Sequence, residues 1–457
     1  MKTRHTIGYV LLVGIPVFAL VGILAAGAGL APPVSVTAAA GPGGQGAHAS
    51  STGLLIAQVG VIILAARLVG RLFRSLGQPQ VVGEMAAGIV LGPSLLGWIA
   101  PGLSQYLFSP GSLGGLASLS DIGLVLFMFV VGLDLDTKAL RTNGRVALVC
   151  SHASILVPFV LGAALALHLY GRLAPPTASF TGFALFLGAA MSITAFPVLA
   201  RILAEQGLSR TRLGTLALAA AAIGDVSAWC ILAGIVAVVR VGSGTADLWI
   251  ATIGSIAFAG VMWFVIRPAM RILERRFEAS GRLTMDLIAT MILVALGAAW
   301  VTDSLGVHAL FGAFLAGAVM PRSPELTAAV RERVETVTVV LLLPLFFAVT
   351  GLRSNLDLLV DPALLGDVFL VFAVAVAGKL GGAGLAARAT GMSWRAALSF
   401  GALMNTRGLM ELVILNIGLD IGAISPSLFS IMVLMAIVTT MMTTPLLRIL
   451  KPSEAGS

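Results

Sequence analysis

The sequence predicts an all-α polytopic membrane protein, and three of its properties lead to that fold class. Of its 457 residues, 58% are hydrophobic and only 11% are charged, against roughly 25% charged residues in an average soluble domain. Apolar stretches of about 20 residues, each long enough to cross a bilayer as a helix, recur from one end of the chain to the other. These stretches lack the short apolar and polar alternation of an outer-membrane barrel. A bundle of membrane-spanning helices satisfies all three observations.

Length and flanking charge together predict about fourteen membrane spans. The predicted spans are residues 8-31, 53-74, 79-99, 113-133, 144-169, 181-205, 212-240, 247-267, 285-302, 306-320, 337-352, 364-390, 394-418 and 424-449. The first span could also be a signal peptide, because Lys2 and Arg4 precede it, but its apolar core is longer than a usual signal core. We therefore expect an N-terminal extra span with an outside loop (1-52), a membrane domain of about thirteen spans (53-450) and a short cytoplasmic tail (451-457).

The net charge of +8 has a topological explanation. Basic residues gather in alternate connectors: Lys2, Arg4, Arg67, Arg71, Arg74, Lys138, Arg141, Arg145, Arg201, Arg210, Arg212, the cluster from Arg267 to Arg282, Arg322, Arg331, Arg333, Arg388, Arg395, Arg448 and Lys451. Only Arg172, Arg240 and Arg353 lie in the connectors on the other side. The positive-inside rule then predicts that both termini are cytoplasmic. Nucleic acid is not an expected partner, whereas the lipid bilayer is.

Weak self-similarity between the two halves predicts inverted repeats. EMAAGIVLGP, from Glu84, resembles AFLAGAVMP, from Ala313; LFMFVVGLDL, from Leu126, resembles LFFAVTGLRS, from Leu345. SIT followed by Pro197 is matched more loosely by MNTRG in the span 394-418. Each partner lies seven predicted spans downstream, and an odd number of crossings reverses the direction of the chain. The common offset makes chance an unsatisfactory explanation for the three matches.

Two charged residues are predicted near the middle of the membrane, where a charge costs about 2.5-3.5 kcal/mol to insert. Asp225 lies thirteen residues beyond Arg212 in the sequence, which is about 20 Å along a helix. Lys379 lies twelve residues from Asp367 on the other side, which is about 18 Å. One interpretation is a structural ion pair that holds two spans together. The other is a transport site, because transporters place such charges beside broken helices at mid-membrane.

Two spans contain residues that break a helix. Pro197 in MSITAFPVLARIL has no N–H to donate, so carbonyl groups near Ile193 lose their partners. Asn405, Thr406 and Gly408 in LMNTRGLMEL loosen a second span at similar depth. A simple kink is the alternative for either span. Unpaired backbone at this depth is tolerated only where it is buried in protein or lines a cavity, so the breaks favour a binding site.

The remaining intramembrane polar residues are weaker candidates. Arg407 and Glu411 are four residues apart on one helix and can neutralise each other. Glu84 follows Pro79 by five residues, so we expect it near the cytoplasmic interface. The single histidines near outer ends of spans, His168 and His308, and the isolated cysteines Cys150 and Cys230 are assigned no role.

The predicted site suits a hard monovalent cation, which takes oxygen ligands. Asp225, Thr194, Ser192 and the backbone beside Pro197 supply carboxylate, hydroxyl and carbonyl oxygens. A carboxylate can hold either a proton or a cation, and competition for one site is sufficient for exchange. With either ligand bound, the carboxylate is neutral, whereas the empty site carries a charge that an apolar barrier penalises. We expect no cofactor and no enzymatic reaction.

Seven segments together resemble the monovalent cation:proton antiporter family of bacterial, fungal and plant exchangers. They are VVGEMAAGIVLGPSLLG, LFMFVVGLDLD, SITAFPVLARIL, GDVSAWCILA, GAFLAGAVMP, PLFFAVTGLRSNL and NTRGLMELVILNIG. The resemblance runs from about Gly53 to Arg448, so the span 8-31 is an addition to the family pattern. It implies a sodium/proton antiporter fold with a core domain and a dimerisation domain. It also implies a homodimer in the plasma or inner membrane that exchanges sodium or potassium for protons by alternating access.

The resemblance also implies roles for individual residues. The family's ion-binding carboxylate falls on Asp225, its core lysine on Lys379, and its crossed discontinuous helices on the spans of Thr194 and Thr406. Family members usually carry Asp, Asn or Gln immediately before the binding Asp, and this sequence has Gly224 there. The choice of cation and the number of protons exchanged depend on that position.

Two other classes of function remain open from the sequence. One is a potassium efflux pathway that behaves like a channel, although such a pathway would usually carry a cytoplasmic gating domain. The other is a sodium-coupled symporter for an organic anion, built on a similar inverted-repeat fold.

Overall fold

The structure is a computed structural model of the chain, and it describes residues 2–32, 52–133, 144–209, 211–240, 245–305, 308–321, 323–356 and 361–450. Within these ranges the chain forms helices and no strand. The predicted cytoplasmic tail, most of the predicted outside loop of 1-52 and the basic residues Lys138, Arg141, Arg210 and Arg322 lie outside the described residues.

The helices of the first half are α1 Lys2–Gly27, α2 Thr52–Ser75, α3 Gln80–Leu91, α4 Leu96–Ile99, α5 Pro101–Leu107, α6 Leu113–Leu133, α7 Gly144–Leu173, α8 Phe180–Ser192, α9 Phe196–Glu205 and α10 Arg212–Arg240. Those of the second half are α11 Thr245–Val261, α12 Arg267–Ser280, α13 Met285–Ser304, α14 Ala309–Val319, α15 Pro324–Val337, α16 Leu343–Leu352, α17 Pro362–Ala389, α18 Trp394–Met404, α19 Leu409–Asp420 and α20 Pro426–Leu450. Single π-helical turns join α11 to α12 and α15 to α16.

Several helices begin at a residue whose side chain satisfies an otherwise free N–H group. The capping oxygens belong to Ser179, Thr284, Ser323, Asp361 and Ser393. A capping residue of this type stabilises a helix by about 1 kcal/mol. Four of these caps, Ser179, Thr284, Asp361 and Ser393, lie within three residues of the starts of predicted spans, whereas Ser323 begins a helix well before the predicted span 337-352.

The helices confirm the all-α membrane fold class. Among the described residues, eleven helices are long and apolar enough to cross a membrane, and a twelfth span is the bent pair α18 and α19. The remaining two predicted spans, 8-31 and 306-320, correspond to the shorter apolar helices Leu11–Gly27 and Ala309–Val319. Every predicted span therefore has a helical counterpart. The helix at 306-320 is shorter than a full membrane crossing requires, whereas α1, which contains the apolar stretch Leu11–Gly27, begins at Lys2.

The helices pack as two groups. The support group contains α2, α3, α6, α13, α14, α15 and α16. The core group contains α7, α8, α9, α10, α17, α18, α19 and α20, and α1 packs against α7 and α8 of this group. Between the groups, Trp229 of α10 meets Phe311 of α14 edge to face, with ring centroids 5.1 Å apart.

Within the support group, helices from the two halves of the chain cross each other closely at two pairs of glycines. A Cβ atom on Gly88 of α3 would overlap the backbone of Phe347 in α16, and one on Gly351 would overlap Gly88 itself. The crossing of α14 with α6 is built the same way, with Gly317 of α14 against the backbone at Gly132. These glycines belong to the two sequence motifs that recur seven spans apart. Because only glycine permits such close backbone approach, the repeated motifs mark two equivalent crossings, each between one helix of the first half and one of the second half.

Candidate functional site

The first broken helix is interrupted by three non-helical residues. The helix α8 ends at Ser192, and α9 begins at Phe196 with Pro197 in its first turn. Between them, Ile193 and Ala195 have extended backbone angles. A proline at this position lacks a donor and fits the first turn of a new helix, which is why the interruption occurs here.

The second broken helix crosses the first at this interruption. The helices α18 and α19 are separated by residues 405–408 and bent by 45°. The N–H of Ala195 donates to the carbonyl of Thr406 at 3.0 Å, and the Thr194 hydroxyl donates to the carbonyl of Met404 at 2.8 Å. A Cβ on Gly408 would lie 2.7 Å from the side chain of Val198, so the close approach requires glycine. The two breaks therefore satisfy part of each other's backbone.

A threonine on α20 holds the second break. The N–H of Arg407 donates to Oγ1 of Thr440 at 2.8 Å, and the same hydroxyl is placed 2.9 Å from the Arg407 carbonyl. The amide of Asn405 donates to the carbonyl of Thr439 at 3.4 Å. In this way α20 supplies partners that an unbroken helix would have provided for itself.

Two cationic side chains cover the carboxyl end of α8. The guanidinium of Arg407 donates to the carbonyls of Ala190 and Met191, each at 3.0 Å. The ammonium of Lys379, on α17, donates to the carbonyl of Ser192. The last carbonyls of a helix lack intrahelical partners and carry a partial negative charge, so both cations are well placed. Arg407 also pairs with Glu411 at 3.0 Å, as the sequence spacing predicted.

Lys379 is fully buried and has further partners on two helices. Its Nζ donates to the carbonyl of Ser154 on α7 at 3.1 Å and to the hydroxyl of Thr194 at 2.8 Å. Among the described residues, Lys379 makes no ion pair within 4.0 Å of a carboxylate. A direct structural ion pair with Asp225, one of the two interpretations of the sequence, is thus not the arrangement found here.

Asp225 lies on α10, facing the amino end of α9. Its side chain is 4% exposed, and the backbone N–H of Phe196 donates to its carboxyl group. The amino end of a helix favours negative charge, because its first N–H groups are free. Within the described part of the chain, Oδ1 of Asp225 is buried without a hydrogen-bond partner. One oxygen of a buried carboxylate is therefore left available to a ligand or a proton.

Gly224 faces α7 beside this carboxylate. A Cβ atom at this position would lie 3.5 Å from Oγ of Ser151, an ordinary contact distance. That hydroxyl is buried and has no hydrogen-bond partner among the described residues. Ser151 lies one turn from Ser154, which binds Lys379. The position before Asp225 has space for a side chain on the face of α7 that leads to Lys379.

A cavity of about 320 Å³ reaches the amino end of α9 from one end of the bundle. Phe196 and Pro197 form part of its wall, and the wall includes the charged side chains of Glu84, Arg201, Arg331 and Glu335. Because these arginines belong to the connectors that are rich in basic residues, we call this end of the bundle the basic end. The cavity connects the basic end with the helix terminus that binds Asp225.

The structure does not bring the predicted site residues together around one ligand position. The Ser192 hydroxyl turns back to the carbonyl of Ala189 at 2.8 Å, so Ser192 meets Lys379 through its carbonyl. The Thr194 hydroxyl lies between the Met404 carbonyl and Lys379. Within the described part of the molecule, no hydrogen bond joins either residue to Asp225.

Glu84 belongs to a separate polar cluster at the basic end. It accepts from Nε2 of Gln80 at 3.0 Å and lies 3.6 Å from Arg67. Gln80 in turn accepts from Arg201 of the core group at 3.3 Å. Glu84 therefore contributes to the cavity wall and not to the helix crossing.

Sequence reasoning missed the partners supplied by α7 and α20. Ser154 and Ser151 lie in CSHASILVP, where small polar residues are common packing residues in membrane helices. Thr440 belongs to TTMMTT, a run of four threonines that places hydroxyls on one face of a helix. That run was the available signal, because hydroxyl groups at this depth need hydrogen-bond partners.

Comparison with known proteins shows which family the chain is similar to. The chain is 43% identical to the Na(+)/H(+) antiporter NhaS4 of Synechocystis over 88% of this chain and 98% of that protein. It is 35% identical to the K(+)/H(+) antiporter 1 of Saccharomyces cerevisiae over 88% of this chain, which spans about half (47%) of the yeast protein.

A solved structure with a similar fold is the sodium proton antiporter MjNhaP1 of Methanocaldococcus jannaschii. The TM-score is 0.57 at 14% identity, and the match covers 88% of this chain and all of that one. The sequence model of the family described as "Sodium/hydrogen exchanger, transmembrane" matches residues 60–449. A chain that shares this family pattern over nearly all its spans, and this fold with its crossed broken helices, belongs to the sodium/hydrogen exchanger family of cation/proton antiporters.

Proposed function

We propose that this antiporter exchanges a monovalent cation for protons at Asp225, which binds one or the other. The observation that carries the proposal is the free Oδ1 of this buried carboxylate. The carboxylate lies at the amino end of α9, where the cavity from the basic end terminates. A buried ionisable group beside a helix terminus that lines a cavity has the properties of an exchange site.

The proposed cation ligands are oxygens on both sides of the first break. Asp225 supplies the charge, and Thr194 with the backbone beside Pro197 supplies uncharged oxygens of the kind that sodium and potassium prefer. Thr194 now accepts from Lys379. Cation binding through the Thr194 hydroxyl would require this lysine to turn toward its carbonyl partners. Ser192 takes part through its carbonyl, which already orients Lys379.

Coupling between cation and proton follows from the cost of an empty site. The unliganded carboxylate carries a full charge, and moving it past the apolar contacts between the two helix groups is costly. A proton or a cation neutralises that charge. We therefore propose that the core group moves relative to the support group only when Asp225 is occupied, which is alternating access.

Lys379 acts in this proposal as a fixed charge. It has four oxygen partners on α7 and around the first break, so its ammonium is compensated without Asp225. Relatives in which a carboxylate precedes the binding Asp have a second acidic partner, and Gly224 removes it here. One proton is then exchanged for one monovalent cation, and no net charge crosses the membrane.

Sodium and potassium are both candidate substrates, because the names of the relatives include a sodium and a potassium antiporter. We further propose a homodimer in the plasma or inner membrane with both termini in the cytoplasm. The basis for the orientation is the alternation of basic connectors. On this assignment, the basic end is cytoplasmic and the cavity is open to the inside.

The proposal is tested with purified protein in proteoliposomes that contain a pH-sensitive dye. Addition of sodium or potassium chloride, without any organic solute, should move protons in the opposite direction to the cation. A series of alkali chlorides then ranks the cations. Cation flux without proton movement would instead indicate a channel, and a requirement for an organic anion would indicate a symporter.

A further inference from the structure

The two helix groups are joined by polar side chains at the end of the bundle opposite to the basic end. Thr350 near the end of α16 and Arg353 just after it belong to the support group. Asn416 and Asp420, in the last turns of α19, belong to the core group. Arg353 donates to Oδ1 of Asp420 at 2.8 Å and to Oδ1 of Asn416 at 3.1 Å. Asn416 donates to the Thr350 hydroxyl at 2.8 Å. We call these four residues the polar latch.

Part of the polar latch is buried, which separates it from an ordinary surface ion pair. Thr350 is 1% exposed and Asn416 is 8% exposed. Asp420, in contrast, is half-exposed, and exposed pairs of this kind contribute little to stability. Separating the groups here would leave the amide of Asn416 and the Thr350 hydroxyl without these partners. The contact is therefore specific to one relative position of α16 and α19.

A second carboxylate makes the contact between the two helix groups depend more strongly on Arg353. Asp121 of α6 is close enough to interact electrostatically with both Asp420 and Arg353. One guanidinium thus interacts electrostatically with a carboxylate of the support group and with a carboxylate of the core group. Without it, the two carboxylates would repel each other across the interface. Arg353 converts a repulsive contact between the groups into an attractive one.

The opposite side of the same interface is open. The cavity at the basic end lies between α9 of the core group and α3, α6 and the α15–α16 region of the support group. Its wall includes Leu409, the first residue of α19, whose last turn carries the polar latch. The interface is therefore open where α19 begins and closed by polar contacts where α19 ends.

We propose that Arg353 is a positioning residue that closes the route to Asp225 from the end opposite to the cavity, and that the polar latch breaks and re-forms in each transport cycle. This inference rests on the proposed exchange by alternating access. Transport requires the route at one end to close before the other opens, so a contact that exists only in one position of the core group must be transient. Arg353 touches neither cation nor proton.

The test joins the two groups covalently at the polar latch. Arg353→Cys and Asp420→Cys are combined in a protein without Cys150 and Cys230, and the pair is linked with a short bifunctional thiosulfonate. Cation-dependent proton movement should fall about tenfold or more, because the core group is held in one position. Reducing agent should restore it.

A matched pair inside the core group provides the control. Arg172 of α7 lies 2.9 Å from Asp367 of α17, at the same end of the bundle. Linking Arg172→Cys to Asp367→Cys joins two helices that move together, so exchange should stay within about twofold of the reduced sample. Full exchange by the protein linked at Arg353 and Asp420 would overturn the proposal. Absence of exchange in the unmodified protein would instead count against the proposed function.

If the protein with the unlinked cysteine pair does not transport, charge-reversal variants test the role of Arg353 instead. Arg353→Asp adds a third carboxylate beside Asp121 and Asp420, and we expect it to lower the exchange rate about fivefold or more. Asp420→Arg combined with Arg353→Asp restores the opposite charges across the two groups and should recover at least half of the rate. A single reversal without effect, or a double reversal without recovery, would contradict a role for Arg353 in closing the route.

Discussion

At the scale of single residues, the site is organised by the distribution of charge around two helix termini. Lys379 and Arg407 bind the carboxyl end of α8, where partial negative charge accumulates, and Asp225 binds at the amino end of α9, where the charge is partially positive. The break in the helix creates both termini inside the helix bundle. The cations are satisfied by carbonyls, which leaves the carboxylate of Asp225 free to respond to its ligands.

The sequence indicated these charged residues but not their partners. Asp225, Lys379 and Arg407 were recognisable because a charge within an apolar stretch is costly. Ser154 was not recognisable, because serine is frequent in membrane helices and its contact joins segments far apart in the chain. Thr440 had a signal in the run of threonines around it, but the sequence did not indicate which backbone groups it binds. Lys379 and Ser154, for example, are separated by 225 residues.

Gly224 gives a prediction about net charge movement. Gly224→Asp places a carboxylate beside Ser151, on the face of α7 that leads to Lys379, with no steric obstacle at its Cβ. We expect this second carboxylate to interact with Lys379, so that the lysine proton can be exchanged too and the cycle moves one net charge. Transport should then respond to a potential set by valinomycin, measured in sodium gradients with potassium balanced between the two sides.

The control for this prediction is Gly224→Asn, which has almost the same size and no charge. It should remain insensitive to voltage, like the unmodified protein. A clear acceleration of the unmodified protein by voltage would show that a second charge already moves, with Lys379 as its source.

At the scale of helical elements, the broken helices are the features best predicted from local sequence. Pro197 and the residues from Asn405 to Gly408 fall at the observed interruptions. A helix breaker acts on its own turn, so its position can be read from the sequence. The crossing of the two breaks involves hydrogen bonds between residues more than 200 positions apart, and only the family resemblance indicated it.

The support that α20 gives to the second break leads to a stability prediction. Thr440→Val removes a hydroxyl that binds both the N–H and the carbonyl of Arg407. The Arg407 N–H would be left without its partner, so we expect a loss of about 1 kcal/mol in stability, within the range measured for hydrogen bonds in membrane proteins. The measurement is the unfolding temperature of the detergent-solubilised protein.

Thr444→Val is the matched control on the same helix. Among the described residues, Thr444 makes no hydrogen bond to the second break, although it is also buried. Its substitution should change the unfolding temperature less. Equal destabilisation by the two substitutions would show that Thr440 contributes through packing alone.

At the scale of the whole molecule, two helix groups meet at an interface that is open at the basic end. The repeated glycine motifs, at Gly88 and Gly351 and at Gly317 and Gly132, build the support group from both halves of the chain. The core group carries both broken helices and Asp225. This division could not be obtained from span positions alone, since it depends on which apolar faces pack together.

The orientation of the molecule gives a prediction that can be checked by labelling. Arg275→Cys on α12 should be accessible from the cytoplasm, and Gly111→Cys from the outside, in a protein without Cys150 and Cys230. Gly111 is exposed, whereas its neighbour Ser112 is buried and hydrogen-bonded to Gln58, which makes Ser112 a poor labelling position. An impermeant thiol reagent added to intact cells should label only the cysteine at position 111. Labelling of the cysteine at position 275 from outside would contradict the orientation.

The exchange role of Asp225 is tested most directly by Asp225→Asn in proteoliposomes. The amide keeps the size of the side chain and cannot bind a proton or offer a negative charge to a cation. Dye-reported proton movement on addition of sodium or potassium chloride should occur with the unmodified protein and fall to a few per cent or less with the variant. Both proteins should insert equally and unfold at similar temperatures. Exchange by the Asn variant at a rate comparable to the unmodified protein would contradict the account, because the carrier of the proton and the cation would then be another group.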